Sequence, residues 1–457
     1  MTEDTIAAIA TPGGQGGIGV IRVSGTECQS VISPLIDRDP DNLQARKATL
    51  CTLHRRDKDE PLDQGLITLF EAPRSYTGEQ VVEISSHGSP LLLQTLLGDV
   101  LESSRCRLAE PGEFSRRAFE NDKLDLAQAD AVAGLIEAKS EAALKSSARQ
   151  LKGELSETVT DLRETLVYSR SRVEAGLDFS DQDSVGNIPF DELKQQLKNV
   201  KQSLDELVEE GKQGTLLQQG CHTAIVGRPN VGKSSLLNKL LKNDRAIVTH
   251  QPGTTRDVIS DQIEIGGIPF ELFDTAGIRP DPESIEAEGI KRSKQALNDA
   301  DLVLFMIDRS QPLTEADRSI QELISKQTTL LVENKVDLEA TLQPSDIEEE
   351  LGKTPDVSVS AKTGKGLDQL KRRMSEAVQT GDAQVENPLV TQTRHLKALQ
   401  STRKALQQAL EGLDSQIDPT LIAEDLREAS DQLAEITGNI TTDDILDEIF
   451  SSFCIGK

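Results

Sequence analysis

The stretch Thr223-Ala-Ile-Val-Gly-Arg-Pro-Asn-Val-Gly-Lys-Ser-Ser-Leu-Leu-Asn238 decides how the chain is to be read. Its apolar start predicts a strand, Gly227-x-x-x-x-Gly232-Lys233-Ser234 follows at once, and a helix opens behind it. The glycines let backbone N–H groups and the helix N-terminus surround phosphates, Lys233 neutralises charge between the β- and γ-phosphates, and the Ser234 hydroxyl ligates Mg²⁺. A bare pattern of this kind occurs by chance, whereas its strand-loop-helix setting makes it specific.

The next elements agree with it. Phe270-Glu-Leu-Phe-Asp274-Thr275-Ala276-Gly277 is a strand ending in Asp-x-x-Gly, suited to an aspartate that reaches magnesium through water and a glycine amide that senses the γ-phosphate. Between the two motifs, Gly253-Thr254-Thr255-Arg256-Asp257 offers Thr255 to the metal. Beyond a third apolar strand, Leu302 to Ile307, and a fourth come Asn334-Lys335-Val336-Asp337 and Ser360-Ala361-Lys362. Asp337 accepts two hydrogen bonds from N1–H and the exocyclic amine of guanine, where adenine offers the wrong pattern, so GTP is favoured over ATP. An aspartate in an ordinary turn explains Asp337 alone but not five elements in this order. The nucleotide contacts are therefore expected in three groups. The phosphate loop gives Asn230, Val231, Gly232, Lys233, Ser234 and Ser235. The middle loops give Thr249, His250, Gln251, Pro252, Gly253, Thr254 and Thr255, then Asp274, Thr275, Ala276 and Gly277. The base site gives Asn334, Lys335, Asp337, Ser360, Ala361 and Lys362.

Ile278 follows Gly277 where Ras-like proteins carry a water-orienting glutamine, and an isoleucine cannot polarise water. Catalytic help must come from elsewhere. Asn230 with the Thr249-to-Thr254 loop can hold a monovalent cation near the β/γ bridge, or Asn230 merely caps a turn. Arg256 and Glu286 are the other nearby candidates.

With 457 residues the chain exceeds one ordinary core, and 50 Lys+Arg against 77 Asp+Glu give a net charge of −27. That charge repels phosphate backbones, so any nucleic acid must meet a local basic patch or a partner. No apolar stretch approaches the ~20 residues of a membrane helix, and Met1-Thr2-Glu3-Asp4 begins no signal peptide, so a cytoplasmic protein with no membrane span is expected. Cys28, Cys51, Cys106, Cys221 and Cys454 are scattered without a C-x-x-C pair, which indicates neither a disulfide framework nor a zinc site.

Residues 1–119 mix short β-type runs (Thr5–Ile9, Ile18–Val23, Gly65–Phe70, Val81–Ile84) with a helix around Pro90 to Ser103, an α+β pattern. From Leu124 to about Phe179, and again from Phe190 to about Leu217, the composition is Ala/Leu/Glu/Lys-rich and helical. Helical pattern returns after residue 385, with Ile422, Leu426, Ala429, Leu433 and Ile436 on one stripe and Thr441 with Asp444 resembling a capping box. The boundaries read 1–119, 120–216, 217–380 and 381–457, with one helical domain split by an inserted nucleotide domain. Gly14-Gln-Gly16-Gly17-Ile-Gly19 fits G-x-G-x-x-G but precedes a strand, which rejects a dinucleotide site. His87 reads as a turn histidine more readily than as an acid or base. Phe453-Cys454-Ile-Gly-Lys457 fails a prenylation signal, and leaves a reactive thiol or a disordered tail.

Over its whole length the chain resembles the MnmE (TrmE) family of tRNA-modification GTPases. The likeness rests on Asp4-Thr5-Ile6 with Ala10-Thr-Pro-Gly, Tyr76-Thr-Gly-Glu with His87-Gly, Pro111-Gly-Glu-Phe-Ser-Arg-Arg-Ala-Phe119, Asp122-Lys-Leu-Asp-Leu-Ala-Gln-Ala-Asp-Ala-Val132, the GTP motifs and the closing Cys454-Ile-Gly-Lys457. The resemblance implies a multidomain α/β and α fold: an N-terminal α+β folate-binding and dimerisation domain, a discontinuous helical domain, and an inserted Ras-like P-loop GTPase domain with a mostly parallel sheet. It implies a homodimer, a heterotetramer with the FAD-dependent protein MnmG, and tRNA as the substrate of the complex. The reaction implied is addition of a (carboxymethyl)aminomethyl group to carbon 5 of the wobble uridine, with a one-carbon unit from 5-formyltetrahydrofolate. Folate contacts carried over fall on Arg22, Glu83, Lys123 and Lys457. Potassium ligands fall on Asn230, Thr249, Gln251 and Thr254, beside magnesium on Ser234 and Thr255. Glu286 becomes the water-organising glutamate and Cys454 part of the modification site. Two positions depart from the family's frequent glycines, Asn121-Asp122 and Gly88-Ser89. A regulatory GTPase of ribosome assembly or signalling is the competing reading, and the N-terminal domain and C-terminal tail weigh against it.

Overall fold

The structure is a computed structural model that describes residues 4–56, 58–178, 190–243, 261–274, 297, 300–325, 327–378, 387–415 and 417–457. It forms two compact units: residues 1–133, 150–197 and 404–457 in one, and 134–149 with 198–403 in the other.

The first unit holds a six-stranded sheet in the order β3-β4-β5-β2-β1-β6. Its strands are β1 (Thr5–Ile9), β2 (Gly16–Ser24), β3 (Thr49–Arg55), β4 (Lys58–Phe70), β5 (Val81–Gly88) and β6 (Cys106–Leu108). All pairs are antiparallel except β1 with β6. Ile21, Val23, Ile67 and Ile84 alternate inward and pack under α1 (Cys28–Ile32) and α2 (Pro90–Leu101), the period-two burial of a sheet with one wet face. Helix α2 starts where Ser89 accepts a hydrogen bond from Leu92 N–H and Pro90 takes the first helical position, so both residues favour that boundary. Gly16 opens β2, and the G-x-G-x-x-G run starts no helix.

Helices α3 (Glu113–Glu120), α6 (Glu154–Asp178), α13 (Pro419–Thr437) and α14 (Asp443–Ser451), with α4 (Leu126–Glu137) as far as Ala133, complete this unit. The stripe Ile422, Leu426, Ala429, Leu433 and Ile436 is buried to within 2% on α13. Burying one such large apolar side chain is worth about 1.5–3 kcal/mol, which outweighs any helix propensity. One boundary shifts: the N-cap of α14 is Thr442, whose hydroxyl accepts from Ile445 N–H, not Thr441. Gly438 in the left-handed conformation ends α13, and Thr441 belongs to the link. The helical run after Leu124 is interrupted twice, where Ser140 caps α5 (Glu141–Leu151) through Ala143 N–H and where Gly153 takes φ 92°.

The second unit is built on a sheet ordered β12-β11-β10-β7-β9-β8. Its strands are β7 (Cys221–Val226), β8 (Asp261–Ile265), β9 (Ile268–Asp274), β10 (Leu302–Asp308), β11 (Thr329–Asn334) and β12 (Val357–Ser358). Every pair is parallel except the β8–β9 hairpin, which turns on Gly266 and Gly267, both at positive φ, as a tight hairpin demands. Strand β10 is buried at all seven positions, the mark of a central parallel strand covered on both faces. Around it lie α8 (Lys233–Asn243), α9 (Glu315–Leu323), α10 (Pro344–Leu351) and α11 (Leu367–Val378), with parts of α7 (Phe190–Gln219) and α12 (Thr393–Ser415). The expected multidomain class, with its mostly parallel P-loop sheet, is borne out. Among the described residues no helix is long and apolar enough to cross a membrane.

Candidate functional site

In the second unit the chain leaves β7 at Val226 and re-enters helix at Lys233, so the loop between them sits at the C-terminal edge of a parallel sheet, where such folds bind ligands. Gly227 and Gly232 hold φ 151° and 105°, and Asn230 is left-handed at φ 66°. A Cβ on Gly227 would stand 2.5 Å from Met306 O, and one on Gly232 would strike the Asn334 amide. Both positions therefore require glycine. Lys233 is buried, and its Nζ donates to Gly227 O at 2.7 Å and Arg228 O at 3.0 Å. Its ammonium is thus held over the loop by weak neutral acceptors that a phosphate oxygen would outcompete. Ser234 and Ser235 lie exposed in the first turn of α8.

The base-reading elements converge on the same loop. Asn334 Nδ2 donates to Val231 O at 2.7 Å while Ala361 N–H donates to Asn334 Oδ1 at 3.0 Å. One buried amide thus fastens the phosphate loop to the Ser360-Ala361-Lys362 turn. Ser360 Oγ donates to Asp337 Oδ1 at 2.6 Å and accepts from Thr363 N–H. That hydroxyl holds the exposed Asp337 carboxyl below the usual aspartate range. Lys335, itself left-handed, pairs through Nζ with Asp308 Oδ2 at 2.7 Å, a partner the motif reading did not single out although it ends β10. The result is an ionised carboxylate facing solvent beside a phosphate loop, the arrangement a guanine edge requires. On the sheet, Asp274 pairs in register with Ile225, two residues before the loop.

Arg22 and Glu83 are register partners on β2 and β5 of the first unit. Arg22 Nε and Nη2 both donate to Glu83 Oε1, at 3.0 and 2.9 Å, and its guanidinium lies 5.1 Å from the Tyr76 ring centroid and 5.7 Å from that of Phe114. The C-terminus closes this place. Arg22 Nη1 donates to Gly456 O at 3.4 Å, Phe114 N–H to Lys457 O at 3.2 Å, and Ile455 bridges Pro111. Gly456, at φ 100°, passes so close to Ile9 O that a Cβ would not fit. The tail is therefore an ordered part of the N-terminal sheet's surroundings, and the disordered alternative falls. Burial and the neighbouring Arg22 charge push the Lys457 ammonium below the usual lysine range, with Glu83 opposing. Cys454 is exposed. Lys123 is exposed too, its stem 3.2 Å from where a Cβ on Gly78 would be.

A family model described as the MnmE helical domain matches residues 126–454, and one described as the GTP-binding protein TrmE N-terminus matches residues 5–123. A protein of Nitrosococcus oceani called tRNA modification GTPase MnmE is 45% identical, covering 100% of this chain and 97% of its own. Proteins of the same description from Aquifex aeolicus and Natranaerobius thermophilus are 43% and 41% identical, each over 100% of both chains. The chain belongs to the MnmE family of tRNA modification GTPases.

Of the residues that the MnmE resemblance marks, the structure brings together Asn230 to Ser235 with Asn334, Lys335, Asp337, Ser360, Ala361 and Lys362, and separately Arg22, Glu83 and Lys457. Thr249 to Thr255, Arg256, Thr275 to Gly277, Ile278 and Glu286 lie outside the described residues. The two departures from the MnmE glycines are accommodated. Asp122 takes φ 53° and Ser89 caps α2 from an extended backbone. Motif reading missed the packing of the Arg22 guanidinium on Tyr76 and the buried Phe114, whose only signal was their place inside charged motifs. His87, expected in a turn, instead lies near the end of β5, where Asp63 pairs with its Nδ1 at 2.8 Å and accepts its backbone N–H, so it is a hydrogen-bonded strand residue.

Proposed function

We infer that the chain is the GTP-hydrolysing subunit of a complex that adds a (carboxymethyl)aminomethyl group to carbon 5 of wobble uridines in tRNA. The observation that carries the nucleotide half is the Asn334 amide joining the phosphate loop to the turn that orients Asp337. Full-length kinship to tRNA modification GTPases carries the other half. Residues 217–380 form the GTPase domain, 1–119 the folate-binding and dimerisation domain, and 120–216 with 381–457 one helical domain. Ser234 and Thr255 hold magnesium. Asn230, exposed on a left-handed backbone, would hold potassium with Thr249, Gln251 and Thr254, and Arg256 and Glu286 would act on the γ-phosphate and the attacking water.

In the N-terminal domain the donor set fits a reduced folate: one carboxylate against the pterin donors and cations for the glutamate tail. Glu83, fixed by two Arg22 bonds, accepts from the pterin edge, while Lys457 and Lys123 face the tail carboxylates. Bound there, 5-formyltetrahydrofolate would supply the one-carbon unit, and the exposed Cys454, three residues before Lys457, is the thiol assigned to the modification. The complex is a homodimer joined to the flavoprotein MnmG. Titration of the full chain with 5-formyltetrahydrofolate tests this reading against a GTPase of ribosome assembly or signalling. Micromolar binding is expected, and its absence contradicts the reading.

A further inference from the structure

The nucleotide-binding elements are entered from α7 and left through residues 387–393 into α12. In the second unit these two connectors are fastened to each other. Gly211 and Gly214 stand three apart near the C-terminal end of α7, where an isolated helix gains nothing from glycine and a packing reason is indicated. A Cβ on Gly211 would lie 2.9 Å from Val390 Cγ1, and one on Gly214 far inside contact distance of Val390 O. The returning segment thus rests directly on the helix backbone. Next to it, the Glu210 carboxylate accepts Leu389 N–H. Arg149 Nη1 donates to Asn387 O at 2.5 Å, and Gln219 Nε2 to Thr393 Oγ1 at 3.0 Å. Pro388, Leu389, Val390 and Thr391 are all buried. Burial lifts the Glu210 carboxyl above the usual glutamate range, with the Leu389 N–H and the Arg149 charge opposing, so this acceptor is one the segment has drawn out of water.

We propose that Glu210, Gly211 and Gly214 are positioning residues that clamp the entering helix to the returning segment, so that nucleotide-dependent movement reaches α12 instead of dissipating in two independent linkers. Two connectors free to move separately absorb a displacement locally, whereas a clamped pair passes it on as one body. Both helices continue into the other compact unit, α7 through residues 190–197 and α12 through 404–415, so the clamp lies on the covalent route out of the nucleotide domain. The consequence for tRNA modification rests on the function proposed above; the mechanical coupling does not.

Hydrogen exchange of the full-length chain, compared between GDP and GDP with aluminium fluoride in potassium, reads the coupling directly. Wild type is expected to change exchange both at the phosphate loop and across residues 393–403. Gly214→Ala keeps the first response and GTP turnover within about twofold, loses the second, and lowers wobble-uridine modification with the flavoprotein about tenfold. Glu210→Ala does the same in milder form, while Glu210→Gln, which retains an acceptor for Leu389 N–H, restores it. Should Gly214→Ala fail to fold, the Glu210 pair carries the test. The clamp is overturned if residues 393–403 respond in Gly214→Ala as in wild type, or do not respond in wild type at all. Intact exchange coupling in a wild type that modifies no tRNA would sink the functional reading and leave the clamp standing.

Discussion

In the proposed function a single carboxylate, that of Asp337, separates guanine from adenine. Asp337 is presented by Ser360, and exchanging its carboxylate for an amide replaces one acceptor with a donor. Asp337→Asn should therefore weaken GTP by about a hundredfold or more, since a charge-assisted pair is lost and a donor is set against a donor. The same variant should gain affinity for xanthosine triphosphate, whose edge presents a carbonyl there; equilibrium binding of both nucleotides checks it. His222 makes a quieter claim. It is the second residue of β7, with its ring 3.5 Å from Asp301 and 3.6 Å from Glu271. The Asp301 hydrogen bond first, and both carboxylate charges, raise its pKa above the ordinary 6.5 against burial and Lys139. A raised folded-state value means the stabilisation is complete below pH ~6.5 and is lost as pH rises through the folded value. His222→Gln should thus destabilise by under about 1 kcal/mol, given the ring's exposure, at pH 5.5–6 and converge with wild type at alkaline pH. A thermal melt series across pH reads this, and a constant offset would refute it. The convergence of the Gly227–Ser234 loop with Asn334, Asp337 and Ser360 was legible because such a loop and such an aspartate are local patterns in sequence. Tyr76 and Phe114 were not, because stacking on Arg22 is a tertiary fact that no spacing encodes.

Elements were readable where one face decides everything. The α13 stripe, with its 4-3-4-3 spacing, is buried as a unit, and Leu426 at its centre is fully enclosed. Leu426→Ala should cost about 2–5 kcal/mol of stability, measurable by denaturant unfolding, with nucleotide affinity unchanged. Strand β3 escaped notice because Leu50 stays exposed while Cys51 and Leu53 are buried, which blurs the alternation. The shift of the α14 cap from Thr441 to Thr442 has a related origin: adjacent threonines are alike in sequence, and only the folded backbone shows Thr442 extended with its hydroxyl on Ile445 N–H. The phosphate loop joins β7 to α8 through a left-handed asparagine in a chain without the usual glutamine. GTP turnover is accordingly expected to be at least about tenfold faster in potassium than in sodium at equal ionic strength. Equal rates would remove Asn230 from the cation role.

For the whole molecule, the interruption of helical sequence by the nucleotide domain was visible from composition alone, since Ala/Leu/Glu/Lys-rich runs resume on its far side. The ordered C-terminus was not. Its last four residues enter the N-terminal domain only because Gly456 fits beside Ile9 and Phe114 offers its N–H, contacts more than 300 residues apart in sequence. That closure places Gly456 and Lys457 beside Arg22 and Glu83, so the site proposed for folate is assembled from residues far apart in the sequence. With a net charge of −27, the chain presents no global attraction for tRNA, in keeping with a substrate held by the proposed complex. The most direct test of that account is mass analysis of wobble uridines in tRNA from cells lacking the protein. Loss of the carbon-5 aminomethyl-type group, restored by wild type but not by Asp337→Asn, is the predicted result. Unchanged modification in those cells would contradict it.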